Sequence, residues 1–306
     1  MKLVRFHEPG RGPRLGMLDG EQVIDVTEGS GAGHSLAGLL EQAAQQRESV
    51  AAVVTRARAM AKDSTHSYTD LDVAPAPDRA HLLSPIDSPE VWAFGVTYRR
   101  SADFREDDMQ TGKGIYDMVY DAPRPEAFYK GDTKRTVGPN AAGCIRADSA
   151  ITVPEAELAL VLGARGEIVG YTICDDISAW DIERENPLYL PQSKIYYGSC
   201  VLGPIMVTSD ELTDARGLQV RCVIKREGTT IFDESVGTDR IKRSFQELID
   251  CLRLNNPIPV GTVISTGTGV IVPPEQALRE GDVVEITIDQ IGTLRHTMTK
   301  LPRDSH

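Results

Sequence analysis

The chain is poor in the residues that most often announce a mechanism. Its 306 residues include five cysteines and six histidines. Cys144, Cys174, Cys200, Cys222 and Cys251 are scattered, odd in number and form no C-x-x-C pair, which argues against structural disulfides and a zinc site. There is no Ser/His/Asp order and no H-E-x-x-H, so acyl-enzyme and zinc-hydrolase chemistry are disfavoured. Gly267-Thr268-Gly269 lacks the following G-K-[ST] of a phosphate loop and makes no G-x-G-x-x-G. Basic residues are outnumbered: 33 Lys+Arg against 45 Asp+Glu give a formal net charge of −12, which argues against a broad basic surface for nucleic acid. No apolar run approaches the ~18 residues of a membrane span. The N-terminus, MKLVRFHEPGRGPRLG, lacks the apolar core of a secretory signal. The expectation is a soluble cytoplasmic protein with no nucleic-acid or membrane partner.

What is present is ordinary in bulk, 41% hydrophobic and 25% charged, and long enough for one or two domains. Residues 1 to about 33 read as short strands with a hairpin at Asp19-Gly20. Ser35 to Met60 reads as one or two helices with Ser35 as a cap. Asp70 to Pro85 is Pro-studded, like a linker, so residues 1–75 are expected to form a small accessory α+β domain and 76–306 the main domain. Val91 to Val96 should be a buried strand delivering Tyr98, Arg99 and Arg100 at its end, where Tyr98 and one arginine are candidates to hold an acid. Residues 102–122, mixed in charge and interrupted by Gly112 and Gly114, read as a lid over a pocket or as an exposed helical excursion. Further on, Glu227-Gly228 marks a hairpin turn. Thr238 is the expected cap of a helix whose Ile241, Phe245, Leu248, Ile249 and Leu252 share one stripe. His7, His34, His66 and His296 are isolated and read as surface or structural residues.

The chemistry concentrates between Val153 and Pro204. Glu155, Glu157, Ala159 and Val161 alternate with Leu158, Leu160 and Leu162 across a strand. Gly163 to Gly166 is a plausible turn, and Glu167 to Cys174 reads as the returning strand. Pairing position 155 with 174 places 176 on the same face as 155, so Glu155, Glu157 and Asp176 converge. Like charges that close need a cation among them. With oxygen donors alone, that cation would be Mg²⁺ or Mn²⁺. The alternative is an acidic, solvated strand face.

The segments PEAELALVLG, GYT–DDISA–D and a Lys-aromatic run ending in LGP resemble the fumarylacetoacetate hydrolase superfamily, over roughly Ser88 to Lys300. The resemblance implies a mostly β fold with some α, a mixed β-sandwich roll, assembled as a homo-oligomer (dimer or tetramer). It implies Glu155, Glu157 and Asp176 as ligands of Mg²⁺, Lys194 as the active-site lysine, and Thr268 as a hydrogen-bond donor to a substrate carboxylate. Two positions depart from the superfamily pattern of its hydrolases: Ser101 stands where a histidine is usual, and Trp180 where the motif has arginine. VYDAPRPEAFYK, ENPLYLPQSKIYYGSC and NPIPVGTVISTGT are similar to one branch, the 2-keto-3-deoxy-D-arabinonate dehydratases. That similarity implies Glu126 and Lys194 as the acid/base pair, with Tyr98, Lys130, Asp176 and Thr268 around the substrate.

The expected reaction is Mg²⁺-dependent dehydration of a 2-keto-3-deoxy sugar acid to 2,5-dioxopentanoate through a metal-stabilised enolate. Lys194, its pKa depressed by burial or a nearby cation, would remove the C3 proton, and Glu126 would assist departure of the C4 hydroxyl, with the two roles exchangeable. The alternatives are acylpyruvate-type C–C hydrolysis, decarboxylation or isomerisation of a 2-oxo diacid, and a non-catalytic binding relative.

Overall fold

Aliphatic and β-branched residues build two large sheets and one two-stranded ribbon (Thr152–Val153 with Ser178–Ala179), and the computed structural model describes residues 1–61, 65–108 and 114–303. The chain opens with β1 (Lys2–Glu8), β2 (Gly12–Asp19) and β3 (Gln22–Asp25); Asp19 pairs with Gln22 across the expected hairpin turn. Two helices follow, α1 (Leu36–Gln46) and α2 (Val50–Met60). Ser35 accepts a hydrogen bond from Gly38 N, and Ser49 caps α2 in the same way.

The remaining principal strands are β4 (Val91–Gly95), β5 (Glu126–Gly131), β6 (Ala142–Ile145), β7 (Ala156–Leu162), β8 (Ile168–Asp176) and β9 (Cys200–Thr208). After them come β10 (Gln219–Arg226), β11 (Thr229–Gly237), β12 (Val263–Ser265), β13 (Val283–Ile288) and β14 (Gly292–Lys300). Helices α3 (Arg99–Asp108), α4 (Ile115–Asp121), α5 (Trp180–Glu185), α6 (Leu190–Lys194) and α7 (Phe245–Arg253) lie between them. Among the described residues, no helix is long and apolar enough to cross a membrane.

The first sheet runs β3-β2-β1-β9-β8-β7-β12-β4-β5 and the second β11-β10-β13-β14-β6. Leu158, Leu160, Ile173 and Val201 from the first sheet share a core with Val220, Ile224, Ile286 and Leu294 from the second. On the opposite face, Ala159, Val161, Cys174 and Leu202 pack with Leu36, Leu39, Val53 and Val54 of α1 and α2. Strands β7 and β8 are thus covered on both sides, which is why they are nearly continuous apolar runs. Residues 1–75 share the main sheet: Lys2 and Leu3 pair with Val207 and Met206 of β9.

Two local expectations need correction. Glu157, not Glu155, stands opposite Cys174, because the turn centres on Arg165, half a residue later than expected, and the register shifts by one more residue between Val161 and Leu162. The slip at the carboxylate end is therefore two residues, so side chains keep their faces and the three carboxylates still converge. The helix expected from Thr238 begins instead at Phe245, because Ser244 and Glu247 form a capping box while Ile241 stays extended. Of the stretch expected as a lid, α3 and α4 are seen as helices; residues 109–113 lie outside the described residues.

Candidate active site

Period-two alternation brings the acidic residues together. Glu155 immediately precedes β7, Glu157 lies within it, and Asp176 ends the adjacent β8. One oxygen from each lies within 4.8 Å of the others, and all three side chains are buried. Glu157 Oε2 accepts from Ser265 Oγ at 2.5 Å and from the backbone N–H of Gly267 at 2.7 Å. Burial, then the charges of Asp176 and Glu155, push the Glu157 carboxyl well above the usual range. Glu155 goes the other way: burial opposes its charge, but Lys194 and Arg105 outweigh that and hold it at about 2.

Two lysines meet these carboxylates. Lys194, at the end of α6, places Nζ 2.9 Å from Glu155 Oε2 and 3.1 Å from Asp176 Oδ2, and donates to Ser178 Oγ at 2.6 Å. Burial lowers the Lys194 pKa, but Asp176, Glu155 and Glu183 together raise it further, so the ammonium is favoured. The depression expected from burial is therefore overturned by the carboxylates around it. Lys130, on β5, is fully buried. Its Nζ donates to the carbonyls of Ile177 and Lys194 at 2.9 and 2.8 Å and lies 2.5 Å from Asp176 Oδ1. Two of its donors go to backbone carbonyls and the ammonium pairs with Asp176, so Lys130 braces Asp176 and the Lys194 backbone.

Glu126, at the start of β5, lines one small chamber with Glu155, Asp176, Lys194 and Thr268. Burial, reinforced by the Glu183 carboxylate, pushes Glu126 up to about 7. Thr268 is at the chamber wall, where its Oγ1 donates to Val270 O at 3.2 Å. Tyr98 packs its ring on Gly269, where any added side chain would lie within 2.5 Å of that ring, and it borders an outer cleft with Arg99 and Arg100. Those arginines pair at the surface, Arg99 with Asp103 and Asp117, Arg100 with Glu234.

The structure adds residues that sequence reading passed over. Arg105 of α3 reaches into the chamber, where Nη2 donates to Glu155 Oε1 at 2.6 Å, Nη1 to Glu183 Oε1, and Nε to Ser101 Oγ at 3.2 Å. Its guanidinium lies 4.8 Å from the centre of the Trp180 ring, and Trp180 Nε1 donates to Asp108 on the same helix at 2.6 Å. Trp180 thus serves as a platform for an arginine that comes from another element. Arg105 lies in a mixed-charge helix 50 and 78 residues from its two partners, so no local pattern marks it.

The donor set fits a divalent cation. The cluster offers hard oxygen donors alone, and Asp176 Oδ1, although beside Lys130, makes no hydrogen bond. Five carboxylates (Glu126, Glu155, Glu157, Asp176, Glu183) face three cations (Arg105, Lys130, Lys194), which leaves a deficit of two positive charges when all are ionised.

The family follows from comparison. Residues 91–299 match the family model described as fumarylacetoacetate (FAA) hydrolase C-terminal. The chain belongs to the fumarylacetoacetate hydrolase family. Within that family it is 48% identical, over 216 residues, to the 2-dehydro-3-deoxy-D-arabinonate dehydratase of Saccharolobus solfataricus, covering 70% of this chain and 72% of that one. It is 27% identical over 314 residues to a mitochondrial oxaloacetate tautomerase of Bos taurus, covering 96% of this chain and 90% of that one. A solved 2-keto-3-deoxy-D-arabinonate dehydratase, complexed with magnesium and 2,5-dioxopentanoate, superposes with a TM-score of 0.82 at 38% identity, covering 99% of this chain and all of that one. The mostly β architecture expected from the sequence is that family's fold.

Proposed function

We propose that this chain is a Mg²⁺-dependent hydro-lyase that converts 2-keto-3-deoxy-D-arabinonate to 2,5-dioxopentanoate and water. The observation that carries this reading is one chamber that brings Glu126 and Lys194 against the Glu155/Glu157/Asp176 cluster, in a chain 48% identical to a dehydratase of that substrate. Glu155, Glu157 and Asp176 are assigned as the metal ligands. A divalent cation held there supplies positive charge at the keto oxygen of a 2-oxo acid, which acidifies the neighbouring C–H, and offsets the negative charge that keeps Lys194 protonated.

Lys194 Nζ, in its neutral form, takes the proton from C3. Glu126, with its carboxyl pushed up to about 7, keeps its proton in a substantial fraction of molecules at neutral pH and gives it to the departing C4 hydroxyl. One C–H and one C–O bond break, a C3=C4 double bond forms, and water leaves; tautomerisation of the unsaturated product gives the C5 aldehyde. Thr268, on the chamber wall, is assigned to the substrate carboxylate. Phe128, whose ring centre lies 5.3 Å from Lys194 Nζ, and Leu190 help keep water from the base. Ser101, hydrogen-bonded to Arg105, offers no base for water, which favours elimination over hydrolysis. Tyr98 and Lys130 are left as supports of the site's walls and ligands. A cytoplasmic homo-oligomer, a dimer or tetramer, completes the proposal, and the five unbridged cysteines fit a reducing compartment.

The test incubates purified protein with Mg²⁺ and 2-keto-3-deoxy-pentonate and follows the aldehyde. Lys194→Ala and Glu126→Gln are each expected to abolish turnover while Mg²⁺ still binds. Turnover of an acylpyruvate or of oxaloacetate alone, with no aldehyde formed from the sugar acid, would overturn the assignment.

A further inference from the structure

Two adjacent aspartates leave β8 in opposite directions, as strand geometry requires. Asp176 enters the chamber. Asp175 points between the two sheets, where its Oδ2 lies 2.7 Å from His296 Nε2, and neither side chain is exposed at all. With a carboxylate as the partner, Nε2 carries the proton and donates it. The other oxygen of Asp175 accepts from the backbone N–H of Glu155 at 2.9 Å. The C=O of Glu155 accepts from Asp176 N at 3.0 Å. The Glu155 peptide is therefore gripped on both sides at the point where the chain enters β7, and that grip sets the direction of its side chain.

His296 belongs to the second sheet. It stands on β14, opposite Val284, and its ring fits only because position 143 on the neighbouring β6 is glycine: a methyl group there would lie 2.6 Å from Nδ1. Nδ1 itself is buried without a partner. An unsatisfied buried nitrogen destabilises the fold, a cost that an aliphatic residue in the same core would not incur. The only return on that cost among the described contacts is the bond to Asp175.

We propose that His296 is a positioning residue for the metal centre. From the second sheet it fixes Asp175, and through Asp175 the backbone of Glu155, so that the Glu155 carboxylate meets the cation already oriented. This inference rests on the assignment of Glu155 as a ligand and needs no change in protonation. It also explains why the two sheets must be packed together before the site is complete: β7 and β8 supply the carboxylates, while β14 holds one of them in line. Partners of ligating groups commonly govern metal affinity in this way.

The experiment measures Mg²⁺ affinity calorimetrically on the metal-stripped full chain, together with urea stability without metal. His296→Gln keeps an N–H donor near the position of Nε2; His296→Leu fills the same space without one. Loss of an outer-shell partner typically weakens metal binding by about 10- to 100-fold, the effect expected for His296→Leu, with His296→Gln within about threefold of wild type. His296→Leu binding like wild type, or His296→Gln losing as much as His296→Leu, would overturn the proposal. Should His296→Leu fail to fold, Gly143→Ala, which crowds the ring and leaves both partners in place, carries the test. At least tenfold loss there supports the proposal, and wild-type affinity overturns it. Glu155→Gln separates the two layers of argument: if it binds Mg²⁺ as wild type does, the ligand assignment has failed, whatever the histidine variants show.

Discussion

Glu126 is the residue whose acidity the fold changes most usefully. A carboxyl near 7 in the folded chain, against an ordinary value of 4.5, means the native state binds more protons than the unfolded state between those two pH values. Stability contributed at this position is therefore fully present below about pH 4.5 and is lost as pH rises through 7. Glu126→Gln, neutral throughout, should be more stable than wild type by about 3 kcal/mol at pH 8, the difference shrinking to under about 1 kcal/mol by pH 5, in metal-free urea unfolding, while losing activity. An unchanged difference across pH would refute the shift. Arg105 makes the opposite prediction: Arg105→Met strands Glu155 and Glu183 in the interior and should destabilise the metal-free protein by about 3 kcal/mol. Arg105→Lys should recover little of this, because one ammonium cannot replace a fork that reaches both carboxylates. Such residues also mark the limit of what the sequence discloses. Glu155, Glu157 and Asp176 were legible because a hairpin turns spacing into proximity. Arg105, Glu183 and His296 were not, because their partners lie 50 to 121 residues away and meet them only in three dimensions.

Elements tell a similar story about local and non-local information. The turns at Asp19-Gly20 and Glu227-Gly228 were readable because each needs positive φ where glycine supplies it, and both strand pairs close as expected. Thr238 reads as the cap of α7 from the sequence, but the helix starts six residues later, where Ser244 and Glu247 bond reciprocally. Ser244→Ala should accordingly cost about 1 kcal/mol, whereas Thr238, whose hydroxyl bridges Ala215 O and Leu218 N, should affect the loop before β10 rather than the helix. Circular dichroism and urea unfolding of the two alanine variants separate these outcomes. Helix α3 is tied to the chamber by Arg105 and, at Asp108, by Trp180 Nε1 and by Arg184. Trp180→Phe keeps the ring beneath Arg105 and removes the shorter of the two bonds to Asp108. It should therefore speed amide exchange across residues 99–108 with little change in the core strands.

At the scale of the whole molecule, the buried carboxylates make the folded state short of positive charge, so folding and cation binding are linked. Mg²⁺ at 100 times its dissociation constant should add about 2.7 kcal/mol of stability through mass action alone. Glu155→Gln or Asp176→Asn should shrink that increment, and a wild-type melting curve indifferent to Mg²⁺ and to chelator would contradict the metal assignment. The same molecule-wide view bears on its first 75 residues. Read from the sequence, they look accessory, but β1 pairs with β9, and α1 and α2 cover Leu202 of β9 together with Ala159, Val161 and Cys174, on the very strands that carry Glu157 and Asp176. Removing them would bare one face of β7 and β8 and free an edge of β9, an arrangement prone to aggregation. A chain starting at residue 76 should consequently fail to give a soluble protein with sharp near-UV dichroism. A truncated chain that folds and binds Mg²⁺ as tightly as the full one would mean that the outer layer is dispensable.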